Sequence, residues 1–114
     1  MKRSLLLILC SALLLSFTQL SFAAEGQWLE NIDQAKAVAA KENKHIFINF
    51  SGSDWCHWCI KLDKDILSQE EFLAYAEKNL VLLKVDFPKR TRQSNELREH
   101  NEALARTYQV REFP

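Results

Sequence analysis

The chain has 114 residues, of which 15 are basic, 15 acidic and 47% hydrophobic. Lys2 and Arg3 lie among the first 23 residues and no acid does, so residues 24–114 carry a net charge of −2, which argues against attraction to nucleic acid or anionic lipid as the main function. With two glycines and two prolines the sequence is neither low-complexity nor collagen-like, and residues 24–114 can enclose one small core but not two.

The first 23 residues have the order of a secretory signal peptide. Met1-Lys2-Arg3 is a short positive start, Leu5–Leu15 is an apolar run, and Ser21-Phe22-Ala23 has the small-x-small pattern of a cleavage site. The apolar run is shorter than the roughly 20 residues that a membrane-spanning helix needs. We therefore predict cleavage after Ala23, loss of Cys10 with the signal peptide, and no stable membrane anchor afterwards.

The sequence that follows predicts a helix, a strand and a turn. Asn31 or Asp33 can cap the helix, which runs to about Lys44. Its apolar residues at helical spacing are Ile32, Ala35, Val38 and Ala39. The β-branched and aromatic run His45–Phe50 has no clean alternation, which is typical of a strand buried on both faces. Ser51–Asp54 has the composition of a turn.

A second helix is predicted to begin near Trp55 or Cys56. Ser68–Glu71 has the pattern of a capping box that restarts or bends this helix, and a second buried strand runs from Leu80 to Phe87.

The order of elements after that strand completes the prediction of fold class. Lys89–Arg92 indicates a solvated basic connection rather than a nucleic-acid patch, and Ser94 can cap a last helix. One side of this helix carries Leu97, Asn101, Leu104, Ala105 and Tyr108. Helix, strand, helix, strand and helix in that order imply parallel strands joined by right-handed crossovers in an α/β layer.

Two cysteines, Cys56 and Cys59, remain after cleavage, and they are too close in sequence to link distant parts of a fold. Cys56 falls at the start of a helix, where unpaired N–H groups and the helix dipole stabilise a thiolate and lower the pKa of a thiol. Cys59 follows one helical turn later. The pair can therefore exchange disulfides, with Cys56 attacking a substrate disulfide and Cys59 resolving the mixed disulfide.

Over nearly all of residues 24–114 the chain resembles the thioredoxin superfamily. The segments that carry the resemblance are Phe47–Phe50, Asp54–Cys59, Leu82–Asp86 and Leu104–Pro114, which ends in Val-x-x-Phe-Pro. The Ser-Gly-Ser-Asp-Trp-Cys lead and the Cys-Ile-Lys-Leu-Asp sequel look most like exported bacterial thioredoxin-like proteins of the thiol:disulfide interchange group.

This resemblance implies a thioredoxin-like fold with parallel central strands flanked by helices. It places Phe113 and Pro114 at the family's substrate-contacting cis-proline position, opposite the two cysteines. The family continues with a strand hairpin and a last helix beyond that position. We therefore expect residues 24–114 to form a domain that is incomplete at its C-terminus.

The chain departs from well-known relatives at three positions. Its dipeptide between the cysteines is His57-Trp58 rather than Gly-Pro, and the histidine follows the first cysteine instead of preceding the second. Asn49 aligns with the buried carboxylate that relays protons in thioredoxin. These three positions therefore do not by themselves set the direction of exchange.

Four residues beside the cysteines have more than one interpretation. His57 either stabilises the Cys56 thiolate through its charged form or is an exposed residue of little effect. Trp55 is interpreted as a packing lid over the motif rather than as a participant in the chemistry. Trp58 either shapes a substrate surface or packs, and Asp54 is either a helix cap or a proton relay.

A metal or haem site is a weaker interpretation of the cysteine pair. A structural zinc ion needs two further ligands, whereas His45 lies in a strand and His100 in a distant helix. Covalent haem is excluded because Ile60, not histidine, follows Cys59. We expect no metal and no cofactor other than the redox-active Cys56–Cys59 pair itself.

The sequence thus favours an exported, periplasmic thiol–disulfide oxidoreductase that acts as a reductase. The expected substrates are cysteine-containing exported proteins, and the expected redox partner is bound in the membrane. The alternatives are an oxidase or isomerase of the same fold, an exported metal-binding or metallochaperone module that uses the cysteine pair with His57, and a redox-inactive adaptor.

Overall fold

The computed structural model describes residues 28–113, so the predicted signal peptide, Cys10 and Pro114 lie outside the described residues. The helices are α1 (Ile32–Glu42), α2 (His57–Leu62), α3 (Glu70–Asn79) and α4 (Asn95–Thr107), and a π-helical segment, Asp63–Leu67, continues α2. The strands are β1 (His45–Ser51) and β2 (Leu80–Asp86). The predicted order of helices and strands is confirmed.

The two strands run parallel, with His45 opposite Leu80 and Ser51 opposite Asp86. On the other side of β2, Leu29 donates its N–H to the Leu82 carbonyl at 2.9 Å and accepts from the N–H of Lys84 at 2.8 Å. The middle strand β2 is accordingly the more buried of the two. In β1 every residue before Ser51 is half-buried or exposed, so the prediction that this strand is buried on both faces is wrong. The reason is that β1 lies at the edge of the sheet, since within residues 28–113 it pairs with β2 alone.

The core lies around β2, which α1, α3 and α4 all contact. Its buried apolar residues are Ile32, Ala35, Val81, Leu83, Val85 and Leu104. The predicted inner face of α1 is confirmed. On α4 the same prediction holds for Asn101 and Leu104 but fails at Tyr108, which is exposed because it lies just past the last residue of the helix.

Two of the predicted helix caps form. Asn31 Oδ1 accepts from the N–H groups of Asp33 and Gln34 at 2.9 and 3.0 Å, and Ser94 Oγ accepts from the N–H of Leu97 at 3.1 Å. These bonds satisfy N–H groups that a helix leaves without an internal partner.

The predicted capping box at Ser68 is wrong. The residue before α3 is Gln69, whose side chain makes no capping bond. The Ser68 N–H instead closes the π-helical segment by donating to the Asp63 carbonyl at 2.8 Å, and its Oγ bonds the Asp63 carboxylate at 3.2 Å. Ser68 is therefore not in the extended conformation that an N-cap residue adopts.

None of the helices within residues 28–113 combines the length and the apolar character that crossing a membrane requires.

Candidate active site

The turn at the carboxyl end of β1 ends at Cys56, and Cys59 lies in the helix that follows. We call residues 51–56 the active-site turn. Because β1 and β2 are parallel and Ser51 pairs with Asp86, the turn lies beside the segment that leaves β2. Two chain segments far apart in sequence are thus brought together at one edge of the sheet.

Cys56 is the N-cap residue of α2. Its backbone is extended (φ −84°, ψ 104°), its N–H donates to the Gly52 carbonyl at 2.9 Å, and its Sγ accepts from the N–H of Cys59 at 3.2 Å. The two cysteines are joined by a disulfide with their Cα atoms 5.2 Å apart. Cys56 is 9% exposed and Cys59 4%, so the cysteine at the helix start is the more accessible of the two. This is the geometry of a pair that can open and close a disulfide.

Asp86 and Ser53 join the active-site turn to the end of β2. The Asp86 carboxylate accepts from the Ser53 N–H at 3.0 Å and from Ser53 Oγ at 2.6 Å, and the Phe87 N–H donates to the Ser51 carbonyl at 2.8 Å. The sequence analysis assigned no role to Ser53 or Asp86. A signal existed, since Ser53 follows β1, Asp86 is the last residue of β2, and the carboxyl ends of parallel strands share one edge of a sheet.

The Asp54 carboxylate binds the loop after β2 rather than capping the helix. It accepts from the backbone N–H groups of Lys89, Arg90 and Thr91 at 2.9, 2.7 and 2.8 Å. The hydrogen bond from the Lys89 N–H lowers the pKa of Asp54 to about 2. Desolvation of the carboxylate opposes this shift, and the bonds from Thr91 and Arg90 add to it. Cys56 caps α2, so the interpretation of Asp54 as the cap of this helix is wrong. The alternative, that Asp54 relays protons, stays a prediction.

The Trp55 side chain packs against Phe87, which follows β2, and against Phe113 near the end of the chain. Its Nε1 donates to the Phe87 carbonyl at 2.7 Å, and its ring meets the Phe113 ring edge-on with centroids 5.8 Å apart. A Cβ atom added at Gly52 would lie only 2.5 Å from the indole, so glycine leaves the space that the ring occupies. Phe113, predicted from the resemblance to contact substrate, is therefore next to the motif, and it also packs on Phe87 with centroids 5.3 Å apart.

His57 and Trp58 point their rings outward at the start of α2. The two rings meet edge-on with centroids 5.3 Å apart, and Trp58 is 63% exposed. Trp58 also borders an open groove of about 320 Å³ that includes Leu62 and Ile66. An exposed indole beside a reactive disulfide favours the interpretation of Trp58 as part of a substrate surface over the packing alternative.

Within the part of the chain that the structure describes, no group of three or more His, Cys, Asp or Glu residues is arranged to hold a metal ion. His100, one of the histidines considered above, lies with its Nε2 3.4 Å from the Ile32 N–H, from which it accepts a hydrogen bond.

A thioredoxin-like family model matches residues 27–110. The chain belongs to this family. It is 40% identical over 92 residues to "Disulfide bond reductase DsbH" from Chlamydia pneumoniae, which covers 81% of this chain and 55% of that protein. It is 28% identical over 87 residues to "Thioredoxin-related protein DsbJ" from the same organism, covering 76% of this chain and 25% of that one.

A solved structure, "DsbH Oxidoreductase", superimposes with a TM-score of 0.74 and 38% identity, over 88% of this chain and 69% of that chain. The thioredoxin-like α/β fold expected from the resemblance is therefore confirmed. The chain spans about half of the DsbH sequence and a quarter of the DsbJ sequence.

Proposed function

We propose that this protein is an exported thiol–disulfide oxidoreductase that reduces disulfides in cysteine-containing proteins through Cys56 and Cys59. The observation that carries the proposal is the Cys56–Cys59 disulfide at the start of α2. Cys56 caps this helix, and its Sγ accepts a hydrogen bond from the N–H of Cys59. The helix terminus and this donor favour a thiolate at Cys56 once the disulfide is reduced.

The exchange takes two steps. The Cys56 thiolate attacks one sulfur of the substrate disulfide, forming a mixed disulfide while the other substrate sulfur leaves as a thiolate and takes up a proton. The Cys59 thiolate then attacks Cys56 Sγ, which closes the Cys56–Cys59 disulfide and releases the first substrate sulfur, again with uptake of a proton. The substrate gains the two electrons and two protons that the protein dithiol loses. A membrane-bound dithiol donor would return them.

The reductase direction and the export rest on separate support. DsbH, the relative at 40% identity, is named a disulfide bond reductase, which favours reduction over oxidation or isomerisation here. The signal-peptide pattern of residues 1–23 favours export to the periplasm.

Trapping experiments test the roles of the two cysteines. Cys59→Ser should accumulate mixed disulfides with substrate proteins, whereas Cys56→Ser and the double variant should accumulate none, because only Cys56 starts the exchange.

In the reduced protein Cys56 should also be alkylated faster than Cys59 at mildly acidic pH, as measured by mass spectrometry of each peptide. Equal alkylation rates at the two thiols would contradict the assignment.

Equilibration with glutathione tests the direction. A reductase should have a potential near that of thioredoxin, about −270 mV, whereas a value near −120 mV would make the protein an oxidase.

Insulin reduction assays with and without added copper or zinc test the metal-binding alternative, since a metallochaperone should bind the ion tightly and reduce insulin poorly.

A further inference from the structure

The loop that follows β2 contains Lys89, Arg90, Thr91 and Arg92, which we call the basic loop. The active-site turn fixes the position of this loop, because the N–H groups of its first three residues converge on the carboxylate of Asp54. Asp54 lies two residues before Cys56 in the sequence. Hydrogen bonds to a charged acceptor are stronger than neutral ones, so three of them hold the loop firmly beside the reactive disulfide.

Lys89 places a positive charge directly against the motif. Its Nζ lies 3.8 Å from the centroid of the Trp55 ring, a cation–π contact, and Trp55 immediately precedes Cys56. The ring itself is anchored by the bond from Nε1 to the Phe87 carbonyl. An ammonium group that would otherwise move freely on its side chain is therefore held at a defined place next to the reactive cysteine.

The cationic groups of the basic loop have no acidic partner within residues 28–113. The ion pairs there join Lys44 to Glu42, Lys61 to Asp65 and Arg106 to Glu102. The acids of the active-site turn and of the end of β2 are already engaged, since Asp54 accepts from the loop backbone and Asp86 accepts from Ser53. All four residues of the basic loop are exposed to solvent.

We propose that the basic loop, together with Trp55, is the docking surface for an acidic segment of the substrate polypeptide that flanks the disulfide attacked by Cys56. This inference rests on the proposed function and adds a substrate class to it. Exposed charges at the edge of an interface speed encounter and fix orientation, and arginine and lysine bind carboxylates through charge-assisted hydrogen bonds. Disulfides with aspartate or glutamate nearby should therefore be reduced faster than those with lysine nearby.

Single-turnover reduction of three synthetic peptides tests the inference. Each peptide contains one intramolecular disulfide, flanked by three glutamates, three glutamines or three lysines, and is mixed with the pre-reduced full chain at low ionic strength. We expect the rate constant to fall from the glutamate to the glutamine peptide by about eightfold, since three exposed ion pairs are lost and each is worth roughly a factor of two, and to fall again for the lysine peptide. In 1 M salt, where the screening length is about 3 Å, the three rates should converge.

A variant and a matched control locate the effect. Replacing Lys89, Arg90 and Arg92 together by alanine should bring the ratio of glutamate to lysine rates close to one. The control removes the same net charge from the exposed surfaces of α1 and α3, by alanine at Lys36, Lys41 and Lys78, and should keep most of the ratio.

Three results would overturn the inference: equal rates for the three peptides with the wild-type protein, a ratio that persists in the loop variant, or a ratio unaffected by salt. Reduction of the glutamine peptide in those cases would leave the proposed function standing. If the reduced protein transfers electrons to none of the peptides, the proposed function fails and this inference fails with it.

Discussion

At the scale of single residues, the environment of Cys56 is set by its immediate neighbours. Its sulfur accepts an N–H bond from Cys59, and its own N–H is bound by Gly52. His57 and Asp54 add ionisable groups on the two sides of the motif, one exposed at the helix start and one bound to the basic loop. Each of these two residues supports a separate prediction.

His57 should tune the redox potential. A cationic imidazole at the first residue of α2 stabilises the Cys56 thiolate, hence the reduced form, and so makes the protein more oxidising. His57→Ala should raise the pKa of the Cys56 thiol and lower the reduction potential by roughly 5–20 mV, since an exposed charge pair is worth about 0.2–1 kcal/mol and about 30 mV corresponds to 1.4 kcal/mol. Glutathione equilibration and the pH dependence of alkylation measure both quantities.

The matched control for this prediction is His45→Ala, which removes an exposed histidine from the first residue of β1. The control should leave the potential and the alkylation profile unchanged. A potential that is the same in His57→Ala as in the wild type would leave His57 with no role in tuning the thiol.

Asp54 should stabilise the folded chain in a pH-dependent way. Its pKa is lowered from 3.8 to about 2 by the Lys89, Thr91 and Arg90 N–H groups. A carboxyl whose pKa is lower in the folded state contributes stability that is complete above its unfolded pKa and is lost as the pH falls through its folded pKa. Asp54→Asn should therefore unfold more easily than the wild type at pH 7, and the difference should shrink between about pH 4 and pH 2.

Urea titrations at several pH values measure this difference, and NMR titration of the carboxyl carbon gives the pKa directly. Asp33→Asn is the control, because it removes the same charge from the exposed first turn of α1. A stability difference for Asp54→Asn that is the same at pH 7 and pH 2 would contradict the role assigned to the three hydrogen bonds.

At the scale of secondary-structure elements, the active-site turn depends on the fit between Gly52 and the Trp55 ring. No glycine in residues 28–113 has a positive φ, so Gly52 is required there for space rather than for backbone conformation. Gly52→Ala would bring a Cβ to 2.5 Å from Trp55 Cε2 and must displace the indole. We expect a loss of about 1–3 kcal/mol in the free energy of unfolding, as for other overpacked sites.

A double-mutant cycle isolates this contact. Gly52→Ala should cost less in a Trp55→Ala background than in the wild type, because the ring that obstructs the methyl group is absent. Chemical denaturation gives the energies, and near-ultraviolet circular dichroism reports the displaced indole. Equal costs in the two backgrounds would show that Gly52 matters for another reason.

At the scale of the whole molecule, the described sheet has two strands, and its strand β1 is only half-buried. Within residues 28–113 β1 pairs with β2 alone, and an unpaired strand edge exposes backbone groups that promote association. The edge of β1 should therefore let the protein self-associate at high concentration. Light scattering over a range of protein concentrations tests this expectation, which a monomer at every concentration would contradict.

Local chemistry was enough to predict most of the fold. Asn31 and Ser94 are strong N-cap residues, the β-branched and aromatic run at His45 and the apolar run at Leu80 are typical of strands, and these elements follow from neighbouring residues. The capping box at Ser68 failed because α2 continues through a π-helical segment, which depends on packing across the whole helix rather than on four residues.

The candidate site divides in the same way. The spacing of Cys56 and Cys59 between a strand and a helix was sufficient to place a redox pair at a helix start, since both residues lie within one local motif. The contacts of Asp54 with the basic loop and of Ser53 with Asp86 span more than 30 residues. Only the parallel pairing of β1 and β2 decides them, because the register of two strands determines which distant loop lies beside the active-site turn.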